Sequence, residues 1–115
     1  LRIELKEGET KFENVSIFTF FDDSSLKPAE FTKLCYNKLA FPLWVRHRED
    51  GDLLSYSYGH KKLKKLLIDL KVPTEKRKRL WVVVDNDDNI LWIPGYYVNQ
   101  TLGIENDLYF QLLGA

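Results

Sequence analysis

The chain has 115 residues, 44% of them hydrophobic and 30% charged, which is typical of one globular domain. It contains no apolar run near the ~20 residues that span a bilayer, and its single cysteine, Cys35, excludes an internal disulfide and indicates a reducing cytoplasm. The net charge of zero hides a basic patch, because residues 42–80 hold 11 basic and 5 acidic residues, whereas residues 81–115 hold 0 and 5. The chain begins at Leu1 and contains no Met, so we expect residues 1–115 to be a single domain cut from a longer protein.

The first part of the chain is predicted to form strands. Alternating apolar and polar residues indicate a strand over residues 1–6, and bulky aromatic residues indicate a second strand over residues 11–21. Polar residues predict a turn at residues 22–25. Residues 28–40 are ambiguous, with one interpretation being a strand over residues 31–36 followed by a tight turn over residues 37–40, and residues 42–48 have the alternation of a strand.

A helical period follows. Leucines at positions 63, 66, 67 and 70 form a narrow apolar stripe, which predicts a helix over residues 60–72. Pro73 ends that helix. Residues 73–79 are predicted to form a short second helix, with Thr74 as its cap.

The last part of the chain returns to strands. Residues 80–85 and 89–93 are predicted to form a hairpin whose first strand is central, because it is apolar on both faces. Residues 107–113 are predicted to form a final strand. This order indicates the α+β class, a mostly antiparallel sheet or sandwich with a helical insertion near residues 60–79.

The sequence offers no residue set for catalysis or metal binding. His47 and His60 are the only histidines, and no nucleotide-binding glycine motif is present. Residues 85–89 match the start of a calcium loop, but Ile90 replaces its glycine and Tyr96 its bidentate glutamate. We therefore predict no catalytic residue and no metal site, and we interpret residues 85–89 as a polar hairpin turn.

The basic residues indicate a polyanionic ligand. On the predicted helix, Lys61 and Lys65 face away from the leucine stripe, and Lys62 and Lys64 flank them. Like charges at this spacing repel one another, and the helix dipole disfavours cations in the first turn. Free backbone N–H groups at that end would suit a phosphate oxygen, and a second basic run follows at residues 76–79. A solvated basic face without a ligand is the alternative interpretation.

Aromatic residues accompany these cations. Arg46 and Arg48 share a strand face with Trp44, where an arginine could stack on the indole or pair with phosphate. Alternatively, Trp44 belongs to the core and the arginines are solvated. Tyr56 and Tyr58 could stack unpaired bases, or they could simply pack on neighbouring strands.

A set of segments within residues 41–95 occurs in an order typical of one protein family. The segments are PLWVRHREDGD at 42–52, KKLKKLLID at 61–69, KVP at 71–73, Arg77, RL at 79–80, VVVD at 82–85 and ILWIPG at 90–95. Together they resemble the C-terminal domain of bacterial tRNA(Ile)-lysidine synthase. The resemblance is weak over residues 1–40 and 96–115.

The resemblance implies a fold and a function. The family's domain is similar to an α+β domain of the phenylalanyl-tRNA synthetase beta subunit. The implied parent protein is a cytoplasmic ligase that converts the wobble cytidine of an isoleucine tRNA with a CAU anticodon to lysidine. Its ATP and magnesium are implied for a separate catalytic domain, whose pyrophosphate loop is not found in this sequence. This chain is therefore expected to lack cofactors and to grip the tRNA acceptor stem, and the parent chain could form a homodimer.

Carried over by position, the resemblance implies a set of tRNA contacts made by basic side chains. They are Arg46, Arg48, Lys61, Lys62, Lys64, Lys65, Lys71, Arg77 and Arg79. The family usually has an arginine after Gly-Asp, where this chain has Leu53, so that contact is missing or is made by another residue. We expect binding through phosphates and 2′-hydroxyls, with steep salt dependence. The alternative is a protein-interaction module that docks an acidic surface of its parent chain or of a second subunit.

Overall fold

The computed structural model describes residues 1–21 and 31–113, which form eleven strands and two short helices. In chain order these are β1 Arg2–Leu5, β2 Gly8–Phe12, β3 Val15–Phe21, β4 Thr32–Tyr36, β5 Leu43–His47, β6 Leu53–Tyr56, β7 Gly59–Lys62, α1 Leu63–Asp69, α2 Thr74–Lys78, β8 Trp81–Val84, β9 Ile90–Ile93, β10 Tyr97–Val98 and β11 Asn106–Leu113. The predicted α+β class is confirmed. The turn predicted at residues 22–25 lies outside the described residues.

Two antiparallel sheets form a sandwich. The first sheet has the order β1-β5-β8-β9-β10, and the second has the order β2-β3-β11-β4. Alternate apolar residues of both sheets fill the core between them, including Val45 and Val83 from the first and Ile17 from the second. The rings of Trp92 and Phe110 stack across this core with their centroids 4.7 Å apart.

A second core covers the other face of the first sheet. Leu54 of β6 and Leu63 and Leu67 of α1 are fully buried in a cluster with Val82 and Val84 of β8. The β6–β7 hairpin and α1 thus form an outer layer on the five-stranded sheet. The prediction that β8 is central is confirmed, because its side chains enter both cores.

The predicted strand over residues 11–21 is wrong as one element. It is two antiparallel strands, β2 and β3, that pair in a tight hairpin with Phe12 opposite Val15. The turn between them requires a left-handed backbone at Glu13, whose φ is 56°. Few residues other than glycine and asparagine adopt this conformation readily, so the glutamate gives no signal for the turn, and the neighbouring Asn14 is a weak one.

The helix predicted over residues 60–72 is shorter at both ends. Residues 59–62 pair with β6 instead, so the helix begins at Leu63. At its other end Lys71 has a φ of 56°, and the Val72 N–H turns back to the Leu67 carbonyl at 2.9 Å. This left-handed ending stops the helix before Pro73 is reached.

The second predicted helix is present, but its cap is not Thr74. Pro73 occupies the N-cap position of α2, and Thr74 is the first helical residue. No side chain forms a capping hydrogen bond at this end of the helix. No helix among the described residues is long and apolar enough to cross a membrane.

Candidate nucleic-acid interface

The β6–β7 hairpin and α1 present most of the predicted lysines. The Leu63 N–H donates to the Asp52 carbonyl at 2.9 Å, which joins the hairpin to the start of the helix. Because Leu63 and Leu67 point into the core, the exposed face of this layer carries Lys62, Lys64 and Lys65. The structure therefore brings these three cations together on one surface.

Lys61 lies on β7 rather than on the helix, which corrects its predicted position. Its ammonium pairs with the carboxylate of Asp69, the last residue of α1, at 3.0 Å. This hydrogen bond is the main reason why the pKa of Lys61 is raised and the pKa of Asp69 is lowered. This ion pair links the hairpin to the C-terminal end of α1, and Asp69 neutralises part of the charge of Lys61.

The start of α1 offers less to a phosphate than the sequence indicates. The helix has only seven residues, Lys62 at its cap makes no side-chain capping bond, and its first turn contains no acidic residue. The Leu63 N–H is already occupied by Asp52. Cations do lie at the start of the helix, as the sequence predicts. Fewer backbone N–H groups are free for a phosphate there than the sequence predicts.

The link to α2 adds a second group of cations. Lys71 is exposed at the turn after α1, and the Arg77 Nε–H donates to the Val72 carbonyl at 2.7 Å. Arg77 therefore helps to fix the link between the helices. Lys76 and Arg79 line a shallow groove beside Tyr96. Basic residues in the last turn of α2 suit the negative end of its dipole.

Arg46 has an internal role. Its side chain is 4% exposed, with Nη2 2.9 Å from Asp52 and Nε 3.2 Å from Asp88, and its Nη1 also donates to the His47 carbonyl at 2.9 Å. Burial acts to lower the pKa of Arg46, but the hydrogen bonds and charges of Asp52 and then Asp88 outweigh it and raise that pKa. Since its donors are occupied, we leave Arg46 out of the candidate surface.

Arg48 and Trp44 do not form the pair considered from the sequence. Arg48 is half-buried, and its Nε has no hydrogen-bond partner among the described residues. The guanidinium over the Trp44 ring belongs to Arg2, 4.3 Å from the ring centroid. The Trp44 Nε1–H donates to Asn86 at 3.0 Å, so this indole packs at the edge of the second core.

Most basic side chains of the outer layer lack an internal partner. Within residues 1–21 and 31–113, the ion pairs formed by basic residues of the 42–80 segment are those of Arg46, Lys61 and His47. Within this 42–80 segment, the exposed lysines and arginines without an acidic side chain at ion-pair distance are Lys62, Lys64, Lys65, Lys71, Lys76, Lys78 and Arg79. We call these seven residues the basic surface.

A tyrosine cluster lies at the tip of the β6–β7 hairpin. Tyr58 and Tyr56 stack with centroids 5.2 Å apart, and Tyr56 meets Tyr97 edge-on at 5.5 Å. The Tyr97 hydroxyl donates to the Ser55 carbonyl at 2.7 Å and accepts from the Ser55 N–H at 2.9 Å. Burial raises the pKa of Tyr97 to about 12. The sequence interpretation missed Tyr97, which pins the hairpin to the sheet.

The polar turn interpretation of residues 85–89 is confirmed. An oxygen of the Asp85 carboxylate accepts the N–H groups of Asp87 and Asn89 at 3.0 and 2.9 Å, which closes the loop between β8 and β9. The part of the chain that the structure describes contains no cluster of His, Cys, Asp and Glu that could hold a metal ion.

Comparison with known proteins adds independent findings. The profile of the TilS substrate C-terminal domain matches residues 43–108. The chain is 55% identical over 78 residues to the tRNA(Ile)-lysidine synthase of Aster yellows witches'-broom phytoplasma (strain AYWB), covering 66% of this chain and 18% of that protein. It is 42% identical over 78 residues to the tRNA(Ile)-lysidine synthase of Enterococcus faecalis (strain ATCC 700802 / V583), covering 64% and 17%.

The fold also has a solved counterpart. A crystal structure of the TILS C-terminal domain is similar to it with a TM-score of 0.75 and 28% sequence identity, covering 99% of this chain and 96% of that chain. The chain spans 18% and 17% of the two lysidine synthases it matches above.

Proposed function

Because the chain belongs to the TilS substrate C-terminal domain family, we propose that it binds tRNA on behalf of a tRNA(Ile)-lysidine synthase. The related proteins carry that enzyme name, and membership of the family is consistent with a role in tRNA modification. The proposed parent enzyme works in the cytoplasm, uses ATP and magnesium in another domain, and acts on an isoleucine tRNA with a CAU anticodon.

One observation carries this proposal. The seven cations of the basic surface follow one another along the chain at the end of β7, in α1, in α2 and in the links beside them, and none has an acidic side chain at ion-pair distance among the described residues. Such a cluster repels itself, whereas each contact with a backbone phosphate neutralises a charge and releases a counterion. A surface of this kind favours a polyanion with closely spaced charges.

We propose that the bound region is the acceptor stem, gripped through its backbone. The major groove of A-form RNA is too narrow for side chains to read bases. Lysines on a hairpin and a short helix can instead reach phosphates and 2′-hydroxyls. Lys62 lies directly opposite Leu53 across the hairpin, where cross-strand side chains are neighbours. We assign to Lys62 the contact that the family's usual arginine would make.

The test uses a double charge reversal, Lys64→Glu with Lys65→Glu. If both lysines contact phosphates, affinity for an isoleucine tRNA transcript should fall. The slope of log affinity against log salt should also decrease in magnitude by about 2, roughly one for each lost contact. Fluorescence anisotropy at several salt concentrations measures both quantities.

A matched control separates a local effect from net charge. Lys11 of β2 and Lys33 of β4 are exposed on the second sheet, so Lys11→Glu with Lys33→Glu changes the net charge equally without touching the basic surface. Urea unfolding of both double variants checks that the fold survives. Unchanged tRNA affinity in the Lys64/Lys65 variant, or an equal loss in the control, would rule out binding by this surface.

A protein-docking role is the second candidate. Residues 81–115 contain five acidic and no basic residues, so one copy of the chain could offer an acidic partner to the basic surface of another, as in a homodimer of the parent chain. Sedimentation with and without tRNA distinguishes the two functions. A salt-sensitive dimer that ignores tRNA supports docking, whereas a monomer that sediments with tRNA supports RNA binding.

A further inference from the structure

A cleft of ≈560 Å³ lies between the β6–β7 hairpin and the edge of the first sheet. This volume falls within the range of small-ligand sites, roughly 300–1,000 Å³. Aromatic rings and uncharged polar groups line it together, among them Ser55, Tyr56, Ser57, Tyr96, Gln100 and Thr101. Such a lining can contact a flat ring on its face and also form hydrogen bonds with its edge.

Tyr56 and Tyr97 line this cleft, and Tyr58 stacks on Tyr56 outside the lining. Tyr97 is buried and bonds both backbone groups of Ser55, Tyr56 packs against Tyr97, and Tyr58 stacks on Tyr56 with an angle of 10° between the rings. Tyr58 is 76% exposed, so a large aromatic face points to solvent. A ring that is already oriented loses little conformational freedom when a ligand stacks on it.

A cation of the same hairpin lies near these tyrosines. Tyr56 and Gly59 are cross-strand partners at the tip of the hairpin, and Lys61 is two residues further along β7. The Lys61 ammonium, bonded to Asp69 at 3.0 Å, lies within electrostatic range of the hydroxyls of Tyr56 and Tyr58. An aromatic face next to a cation matches the base and phosphate of one nucleotide.

We propose that the Tyr56–Tyr58 stack and the adjoining cleft receive an unpaired nucleotide of the bound RNA. The base stacks on the exposed ring of Tyr58, and the rest of the nucleotide forms hydrogen bonds with Ser57, Gln100 and Thr101 in the cleft that Tyr56 lines. Lys61, which neighbours both tyrosines, faces the phosphate. This site rests on the proposed RNA binding and extends it, because contacts with paired phosphates alone would leave the exposed ring of Tyr58 without a ligand. Stacking of this kind accepts any base.

The test compares two short RNA duplexes of identical sequence, one blunt and one with a single-stranded 3′ extension that contains 2-aminopurine. For the unaltered chain, the extension should increase affinity roughly 5- to 150-fold, which corresponds to ~1–3 kcal/mol per stacked base. Binding should also quench the fluorescence of the 2-aminopurine. The ratio of the two affinities is then measured in Tyr58→Ala, Tyr58→Phe and Gln100→Ala.

Each outcome decides between the hypotheses. The inference is supported if Tyr58→Ala reduces the ratio to about one, Tyr58→Phe keeps it because the ring remains, and Gln100→Ala lowers it. It is refuted if both duplexes bind the unaltered chain equally, or if the ratio survives in Tyr58→Ala; the proposed RNA binding then still stands. If neither duplex nor tRNA binds, the proposed function itself fails and this site fails with it.

Discussion

Replacing Arg46 tests whether this residue supports the fold or contacts RNA. In Arg46→Met the side chain keeps much of its length but loses its charge and its donors. The Asp52 carboxylate, whose side chain is only 9% exposed, would then keep one hydrogen bond among the described residues, from the Glu49 N–H at 2.7 Å. The variant therefore leaves a nearly buried carboxylate without its cation.

The two carboxylates contribute unequally to the expected loss. Removing one partner of a buried ion pair costs ~3–5 kcal/mol, and this applies to Asp52. The side chain of Asp88 is 52% exposed, so water replaces its partner and its share is ~0–1 kcal/mol. We expect Arg46→Met to lower the free energy of unfolding by about 3–5 kcal/mol. Asp88→Asn, the matched control, should lower it by less than about 1 kcal/mol.

Urea unfolding followed by tryptophan fluorescence measures these differences, and anisotropy measures tRNA affinity under conditions where the variant is folded. The affinity should stay within about twofold, because the guanidinium is occupied and only 4% exposed. A loss of less than about 1 kcal/mol in Arg46→Met, or equal losses in both variants, would refute the assigned network. A large loss of affinity with unchanged stability would instead return Arg46 to the RNA surface.

Two further predictions concern stability. Because the pKa of Tyr97 is 10.0 when unfolded and about 12 when folded, its contribution is complete below pH 10.0 and is lost as the pH rises through about 12. The free energy of unfolding obtained from urea titrations should fall by up to ~3 kcal/mol over this range in the unaltered chain, and less in Tyr97→Phe; equal declines would contradict this. Gly103→Ala would place a Cβ against the side chain and backbone nitrogen of Asn37 at a φ of +132°, so thermal unfolding should report a loss of ~2–4 kcal/mol. Gly51→Ala, with a φ of +88° but open space, should cost only ~1 kcal/mol, and similar losses would argue against the close contact.

The sandwich was largely predictable from the sequence, since alternation reveals which residues face a core. The strand over residues 42–48 and the central position of β8 followed from that pattern. The predicted element boundaries were wrong near Glu13 and Lys71. Both residues have a φ of 56°, which residues of these types seldom adopt. Helical spacing alone could not show that residues 59–62 pair with β6.

The exposure of Lys64 and Lys65 was also predictable, because the leucine stripe fixes which side of α1 faces the core. The buried, ion-paired state of Arg46 was not predictable from the sequence. Alternation places it on a face of β5, but its partners Asp52 and Asp88 come from two loops that only the folded chain brings together. The role of Tyr97 was not predicted for the same reason, because its hydroxyl forms a hydrogen bond with the Ser55 carbonyl, 42 residues earlier in the chain.

The sharing of β8 between two cores creates a one-way dependence between the layers. The hairpin and α1 have no apolar surface to rest on without the five-stranded sheet, whereas the sandwich keeps its own core, built around residues such as Ile17 and Val83, if the outer layer opens. Local opening of that layer therefore requires less free energy than global unfolding. A polyanion bound there would close the layer and slow its amide exchange, and would leave the sandwich's inner amides nearly unaffected.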